Sequence, residues 1–496
     1  MTNLSVSNDK LGRIATLIPI DRQAQKPLYQ QIYEGFRARI IQRELRPGQI
    51  VPSTRQLARE LGVSRFPVLN AYAQLLAEGY FLGRIGSGTF IAPSLPGEPP
   101  RPSRKSVVHT EMGRRTIATT ASVLPKYASP SWNERLGPFQ VGQPDLEQFP
   151  LKTWSKLVAR YSRNIRVNEL QYGDAMGAEA LRRAIAVYLR TSRAVQCEAD
   201  QIMIVSGSQQ ALDITTRVLL DPGAEAWIEE PAYWLVRHVL KIAGCCAVSV
   251  PVDTEGLDVL AGIELSPKAR AAFVAPSHQY PLGVTMSATR RLQLLDWAQN
   301  AGAWIIEDDY DSEYRYESPP ISCLQGLDTN SRVIYIGTFS KVLFPSLRLG
   351  YIVIPPDLLE RFAAVRQSMD LCPSPTNQAV LTEFIKGGHF ARHIRKMRQI
   401  YGERRRVLVK EIRREFGSTC TIVGGEAGMH LTLLSNGGIE DREIAAKAAA
   451  RKLWLSALSL SYVGEAPRQG FVLGFGNTRV SEIPKAVRLL KELLNA

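Results

Sequence analysis

From about residue 130 onward, short apolar runs alternate with stretches of helix length, and this alternation constrains the fold more than any other feature of the chain. The runs are QIMIVSG (201–207), AEAWIEEP (224–231), AAFVAP (271–276), AWIIEDD (303–309) and RVIYIGTFS (332–340). Nearly continuous apolar strands are buried on both faces. Strands of that kind separated by helices predict an α/β layer around a mostly parallel sheet. Ligands of such sheets gather beyond the carboxyl ends of the strands, so the residues following each run are the first to inspect.

The front of the chain is organised differently. Residues 1–20 suggest a short tail, and residues 21–92 suggest a separate module. PLYQQIYEGFRARIIQREL places Leu28, Ile32, Phe36 and Ile40 at four-residue spacing, which predicts one helix. STRQLARELG predicts a second, with Ser53 as its N-cap and Gly62 as its stop. SRFPVLNAYAQLLAEG predicts a third, capped by Ser64, with Val68, Leu69, Tyr72, Leu75 and Leu76 forming its buried face. The short LGVS turn gives the last two helices helix-turn-helix proportions, and YFLGRIGSGTFIA predicts a hairpin wing. In such a module the third helix inserts its first turn into the major groove. Ser64, Arg65 and Asn70 suit that task. Arg55 can meet a phosphate at a helix start, and Arg84 with Gly86 suits a wing lying along a groove. The plain alternative is a pair of packed helices with no nucleic-acid role.

These residues resemble the GntR-type winged helix from Pro27 to Ile91. Pro52-Ser53-Thr54-Arg55, Gly62-Val63-Ser64-Arg65 and Gly86-Ser87-Gly88-Thr89-Phe90 carry the resemblance. One position departs from it: Pro67 stands where the family usually has threonine, so a hydroxyl and an N–H are lost.

Charge fits a polyanion partner at this end. The chain has a formal net charge of +14 over 496 residues. Residues 1–93 hold 12 Lys and Arg against 6 Asp and Glu, and residues 94–130 hold 6 against 2, so most of the surplus lies in the first quarter. Residues 93–128, with SLPGEPPRPSRKS, read as an extended basic linker because proline removes backbone donors. The start of the chain shows no signal-peptide pattern, and no run is long and apolar enough to span a membrane. The six cysteines have neither CxxC nor zinc-ligand spacing and suggest scattered thiols; the adjacent Cys245 and Cys246 leave a redox role open.

In the larger part, GTFSKVLFPSLRLGY puts Lys341 after an apolar strand, next to Ser340 and seven residues before Arg348. IIEDDYDSEYRY ends another strand with Asp308 and Tyr310. SGSQQALD places Ser208 and Gln209 at a strand-to-helix turn, where free amides favour a phosphate. A lysine amine, an acid for a pyridine nitrogen, a donor for a phenolate and a phosphate cradle are what pyridoxal 5'-phosphate (PLP) chemistry requires. The lysine stretch resembles that of fold-type I aminotransferases. The resemblance implies that Lys341 is the Schiff-base lysine, that Ser340 and Arg348 contact the phosphate, that Tyr233 of EEPAYW stacks on the cofactor, and that Tyr172 of LQYGDAMG reaches the phosphate of a partner subunit.

Winged helix, basic linker and fold-type I domain together resemble the MocR/GabR-type subfamily of GntR transcription regulators over about residues 20–490. Members sense an amino acid, an amine or PLP itself, and bind promoter double-stranded DNA as head-to-tail homodimers. The implied organisation is a winged helix at 21–92, a linker at 93–128 and an aminotransferase-like domain at 129–496. Its large subdomain would span about 170–370 and its small one about 371–496. The resemblance also implies a cytoplasmic, nucleoid-associated protein, with RNA polymerase as a candidate further partner. Two departures bear on catalysis. Tyr280 stands where aminotransferases carry the asparagine that bonds the ring phenolate, and Val472 stands where they carry the arginine for the substrate carboxylate. Arg237 and Arg468 are the candidate replacements for that arginine, and His278 is expected to be a supporting polar residue rather than a general base. At most slow transamination is therefore expected. The competing readings are a working aminotransferase with an appended DNA-binding domain, and a PLP-bound interaction protein without specific DNA binding.

Overall fold

A computed structural model describes residues 14, 18–84, 86–93, 117–122, 124, 137–316 and 321–495. The chain divides into two compact units, 1–115 and 116–496. Most of the 93–128 linker and most of the 1–20 tail lie outside the described residues.

In the first unit, helices α1 (Leu28–Ile41), α2 (Thr54–Glu60) and α3 (Arg65–Ala77) pack with a three-stranded sheet. The sheet holds β1 (Ile50–Val51), β2 (Phe81–Arg84) and β3 (Gly88–Ile91), all antiparallel, in the order β1-β3-β2. The wing hairpin is therefore braced by a two-residue strand that its sequence is too short to announce. Ile32, Phe36 and Ile40 of α1 are buried, as the four-residue spacing predicts. Phe36, Tyr72 and Phe81 meet edge to face with ring centroids 5.1–5.7 Å apart. Ser53 caps α2 by accepting from the Gln56 amide at 3.2 Å. Ser64 holds the N-cap position of α3, but its side chain makes no capping bond, contrary to expectation. The buried face of α3 is Val68, Ala71, Tyr72 and Leu75, while Leu69 and Leu76 are exposed. Each of those leucines follows a buried residue by one position, about 100° around the helix, and so turns out of the core. Ile14 and Ile18, in the stretch that reads as a tail, are buried in this same core.

The second unit is built on an eight-stranded sheet. Its strands are β4 (Ile202–Val205), β5 (Glu225–Glu230), β6 (Cys246–Asp253), β7 (Gly256–Leu257), β8 (Ala271–Val274), β9 (Trp304–Asp309), β10 (Val333–Thr338) and β11 (Gly350–Val353). The order is β4-β11-β10-β9-β8-β5-β6-β7. Strands β5, β6, β8, β9 and β10 run parallel, while β11 is antiparallel to both β10 and β4. All five predicted strands are present. They are apolar on both sides because buried clusters cover both faces of the sheet: Leu181, Ile204 and Phe384 belong to one cluster, Val205, Ile228 and Phe362 to another.

A four-stranded antiparallel sheet of β12 (Cys420–Val423), β13 (His430–Ser435), β14 (Ser456–Ala457) and β15 (Gly470–Gly474) packs with the helices His389–Phe416 and Ile483–Leu494. Phe139, far earlier in sequence, bridges to Gly474 and is buried in that packing. Conversely, Phe384 of the helix Pro375–Lys386 is buried with residues of the large sheet. Among the described residues, no helix is long and apolar enough to cross a membrane.

Truncating Phe36 to alanine removes the ring that contacts both Tyr72 and Phe81. Phe36→Ala should destabilise the first unit by about 3–5 kcal/mol, read as a lower urea midpoint for proteolysis within residues 18–93.

Candidate cofactor site and nucleic-acid interface

The carboxyl ends of the parallel strands converge on one site. Strand alternation sorts the three acids that end β9. Glu307 turns to one side and accepts from the Leu324 and Gln325 amides, each at 2.9 Å. Asp309 turns to the same side and pairs with Arg193 at 2.7 Å, and Tyr335 donates to it at 2.5 Å. Asp308, between them, faces the opposite way, and its buried Oδ1 has no hydrogen-bond partner. Burial, then the charges of Asp309 and Asp311, push the Asp308 carboxyl up to about 7, with Lys341 opposing. A buried acid left like this fits a ligand that brings a cation or an N–H donor.

Lys341 follows β10 and donates from Nζ to the Gly142 carbonyl at 2.9 Å. Burial lowers its pKa, opposed by Asp311 and Asp308 and reinforced by Arg348. The amine is thereby biased toward its neutral, nucleophilic form. Gly142 has φ +71°, a left-handed conformation that favours glycine, and a Cβ there would stand 2.7 Å from Nζ.

The helix Ser208–Leu219 begins at Gly207, whose φ is +99°. A Cβ on Gly207 would lie 3.1 Å from the Arg348 guanidinium, which donates to the Ser206 carbonyl at 2.5 Å. Arg348 itself adopts the left-handed conformation, φ +52°. Ser208, Gln209 and Arg348 are thus gathered at one helix start, an arrangement suited to a phosphate. The Oγ of Ser340 and the Oε1 of Gln209 are buried without partners. Three unpaired or poised groups (Asp308 Oδ1, Ser340 Oγ and the Lys341 amine) are what a pyridinium ring with a phosphate and a carbonyl would satisfy, so the residues fit PLP.

Tyr233 lies edge-on to Tyr280 at 6.0 Å, and burial followed by the charge of Asp308 raises its pKa. Tyr310 donates to the His278 carbonyl at 2.8 Å. His278 Nδ1 pairs with Asp311 at 2.9 Å, and Asp311 also accepts from the Met429 amide at 3.1 Å. His430 of β13 packs against His278 with ring centroids 4.5 Å apart, and burial drives its pKa down to about 3. This buried His278–Asp311–His430 group draws on three distant segments, so the sequence points only to His278, and the acidic residue after Tyr310 is the signal for a second member.

Val472 is fully buried between β13 and β14 in an apolar cluster with Val252, Leu282 and Leu458. Arg237 is already paired with Glu230 and donates to the Ser461 carbonyl. Arg468 donates to the Tyr462 hydroxyl at 3.2 Å and to the Val252 carbonyl at 3.4 Å. Both arginines therefore lean on the turn around 461–462. Tyr172 is not with the other cofactor residues. It is 84% exposed, beside exposed Val167 and Leu170, along a groove of about 1370 Å³.

In the first unit, Arg55, Ser64, Arg65 and Asn70 are exposed. Arg65 Nε donates to Thr54 Oγ1 at 3.2 Å, which ties the first turns of α2 and α3 together. Arg84 lies over the Phe90 ring at 5.2 Å on the wing, next to Gly86 with φ +77°.

Residues 28–91 match the model of bacterial regulatory proteins of the gntR family, and residues 138–462 match that of class I and II aminotransferases. The chain is 38% identical to the probable rhizopine catabolism regulatory protein MocR of Rhizobium meliloti, over 96% of this chain and 95% of that protein. It is 34% identical to the HTH-type transcriptional regulator YhdI of Bacillus subtilis (strain 168), over 95% and 97%. Among solved structures, Pyrococcus horikoshii kynurenine aminotransferase superposes with a TM-score of 0.70 at 26% identity, covering 76% of this chain and 96% of that one. Fold and site define a GntR-type winged helix joined to a fold-type I aminotransferase-like domain. The chain belongs to the MocR-type family of transcription regulators, and its fold-type I domain implies dependence on PLP.

Because the folded chain raises the Asp308 pKa from 3.8 to about 7, the folded state holds this proton more tightly than the unfolded one. The group's effect on stability is then nil below about pH 4, grows increasingly unfavourable between about pH 4 and 7, and levels off above that. Asp308→Asn should raise the melting temperature of the cofactor-free protein more at pH 8 than at pH 4.5, a gain on the order of 1 kcal/mol or more. Equal effects at the two pH values would contradict the burial of an uncompensated carboxylate.

Proposed function

We propose that this regulator holds PLP on Lys341 and uses the loaded site to sense an amino acid, an amine or PLP itself, adjusting how its winged helices engage promoter DNA. The observation that carries this reading is the partnerless Asp308 Oδ1 at the carboxyl end of β9, with the Lys341 amine nearby at the end of β10. PLP supplies an electrophilic carbon for amines and a ring that withdraws electrons once its nitrogen is protonated.

This chain's residues would share the work as follows. Lys341, biased toward the neutral amine, is the nucleophile. Asp308 holds the ring nitrogen, and Tyr310, fixed by the His278 carbonyl, serves the phenolate side. Tyr233 and Tyr280 flank the ring. Ser208, Gln209, Ser340 and Arg348 bind the phosphate, together with Tyr172 of a second copy. The exposure of Tyr172 beside Val167 and Leu170 supports a head-to-tail homodimer in which that apolar edge is covered. Arg237 and Arg468 are the cations assigned to an anionic effector group, and Arg237 would exchange Glu230 for it. In the first unit Arg55, Ser64, Arg65, Asn70, Arg84 and Gly86 form the DNA surface. We place the protein in the cytoplasm, on the nucleoid when bound to DNA, with RNA polymerase as a further partner. We divide it into a winged helix at 21–92, a linker at 93–128 and a sensing domain at 129–496.

Sensing is favoured over turnover by Val472. An arginine would have to replace a fully buried valine for a carboxylate to be gripped from β15. Without that grip a substrate loses orientation, which costs several kcal/mol of barrier. Binding can alter DNA affinity only if the effector prefers one arrangement of the regulator over another.

Lys341→Ala should take up no PLP that borohydride can fix to the chain, read by peptide mass mapping. A mutant carrying the same fixed label would overturn the assignment. Screening amino acids and amines by absorbance, with keto acid release measured in parallel, should find a compound that perturbs the bound cofactor with little product over many cofactor equivalents. Fast multiple turnover with a 2-oxo acid acceptor, and no effect of either substrate on DNA binding, would favour an enzyme instead.

A further inference from the structure

Helix α3 buries Val68, Ala71, Tyr72 and Leu75 and turns Phe66, Leu69, Asn70 and Ala73 outward. Those outward positions follow at intervals of three and four, so they form one face. Phe66 is 69% exposed and Leu69 is 41% exposed. An exposed phenylalanine and leucine one turn apart, on the helix of a helix-turn-helix that should enter a groove, need an apolar counterpart. Their surroundings are cationic. Arg65 opens the same helix and is joined to Thr54 of α2, the turn that carries Arg55. Beyond Arg65 the helix has no lysine or arginine with which to read guanine. Pro67 further removes an amide from the first turn, so hydrogen bonding there is reduced in favour of surface contact.

An apolar centre with arginines near it matches the floor and walls of a DNA major groove. Phosphates line the walls, and the one apolar group on the floor is the C5 methyl of thymine. We propose that Phe66 and Leu69 pack on thymine methyls while Asn70 pairs with an adjacent adenine edge, so that each half-site is read at A·T pairs in the major groove. This rests on the DNA-binding reading of the first unit and specifies what that surface recognises.

The test uses the full PLP-loaded chain and a duplex it selects from a randomised pool. Binding is followed by anisotropy against the same duplex with half-site thymines replaced by deoxyuridine, which removes only the methyl. The selected half-sites should contain thymine, and the uracil duplex should bind roughly fourfold more weakly for each methyl contacted, with an unchanged salt slope. The Phe66→Ala, Leu69→Ala double variant, both positions being exposed, should keep its fold by circular dichroism and its oligomeric state, and should bind the two duplexes equally. Equal wild-type affinity for thymine and uracil duplexes would overturn the proposal, as would discrimination retained by the double variant. A change of oligomeric state in that variant with thymine discrimination intact would also overturn it and assign the face to protein contact. If instead the full chain shows no salt-dependent affinity for any duplex, the DNA-binding reading itself fails.

Discussion

The ion pair between Arg193 and Asp309 holds the end of β9 in register, and the site depends on that register. Both side chains are almost completely buried, and the guanidinium also reaches Ser277 while Tyr335 donates to the carboxylate. Three consecutive acids at a strand end would repel one another if they shared a face. Alternation sends Glu307 and Asp309 to a side where amides and a guanidinium receive them, and leaves Asp308 facing the ligand side with nothing to receive it. A one-residue slip of β9 would exchange these roles. The charge Asp308 can offer a bound ring is thus prepared by neutralisation that happens behind it.

The same division runs through the rest of the site. Groups that must stay put are saturated by the protein: Asp311 by His278 and the Met429 amide, Tyr310 by a backbone carbonyl, Gln210 by the Ser206 amide and Arg366. Groups on the ligand side include atoms left unsaturated, Asp308 Oδ1 and Ser340 Oγ among them, and the outer nitrogens of His278 and His430 are also bare. Buried polar atoms without partners are costly, so Asp308 and Ser340 at the carboxyl ends of two neighbouring strands point to a ligand that offsets the cost. Val472 has the opposite character: it is fully integrated in an apolar cluster with Val252, Leu282 and Leu458, a settled structure with no polar group to be met.

Much of this was legible in the chain because it is local. Strands β4, β5, β8, β9 and β10, the three helices of the winged unit and the lysine segment each announce themselves within a dozen residues, whereas β6, with its mostly half-exposed or exposed residues, does not. What escaped were features made by chain segments far apart. Gly142 meets Lys341 across about two hundred residues, Phe139 joins a sheet formed near the other end, and His430 meets His278 only once β13 is in place. Helix α3 shows a subtler limit. Its apolar residues outnumber its buried positions, and periodicity alone assigned Leu69 and Leu76 inward when the structure turns both out.

In the proposed function, occupancy of the Lys341 site governs how the regulator engages DNA. The most direct measurement is a promoter footprint of the full chain with and without PLP, run beside the Lys341→Ala variant. The account predicts that PLP changes the extent or the affinity of the wild-type footprint and leaves the variant's footprint as it is without cofactor. Identical footprints for the wild type in both conditions, with PLP verified on the lysine, would contradict it.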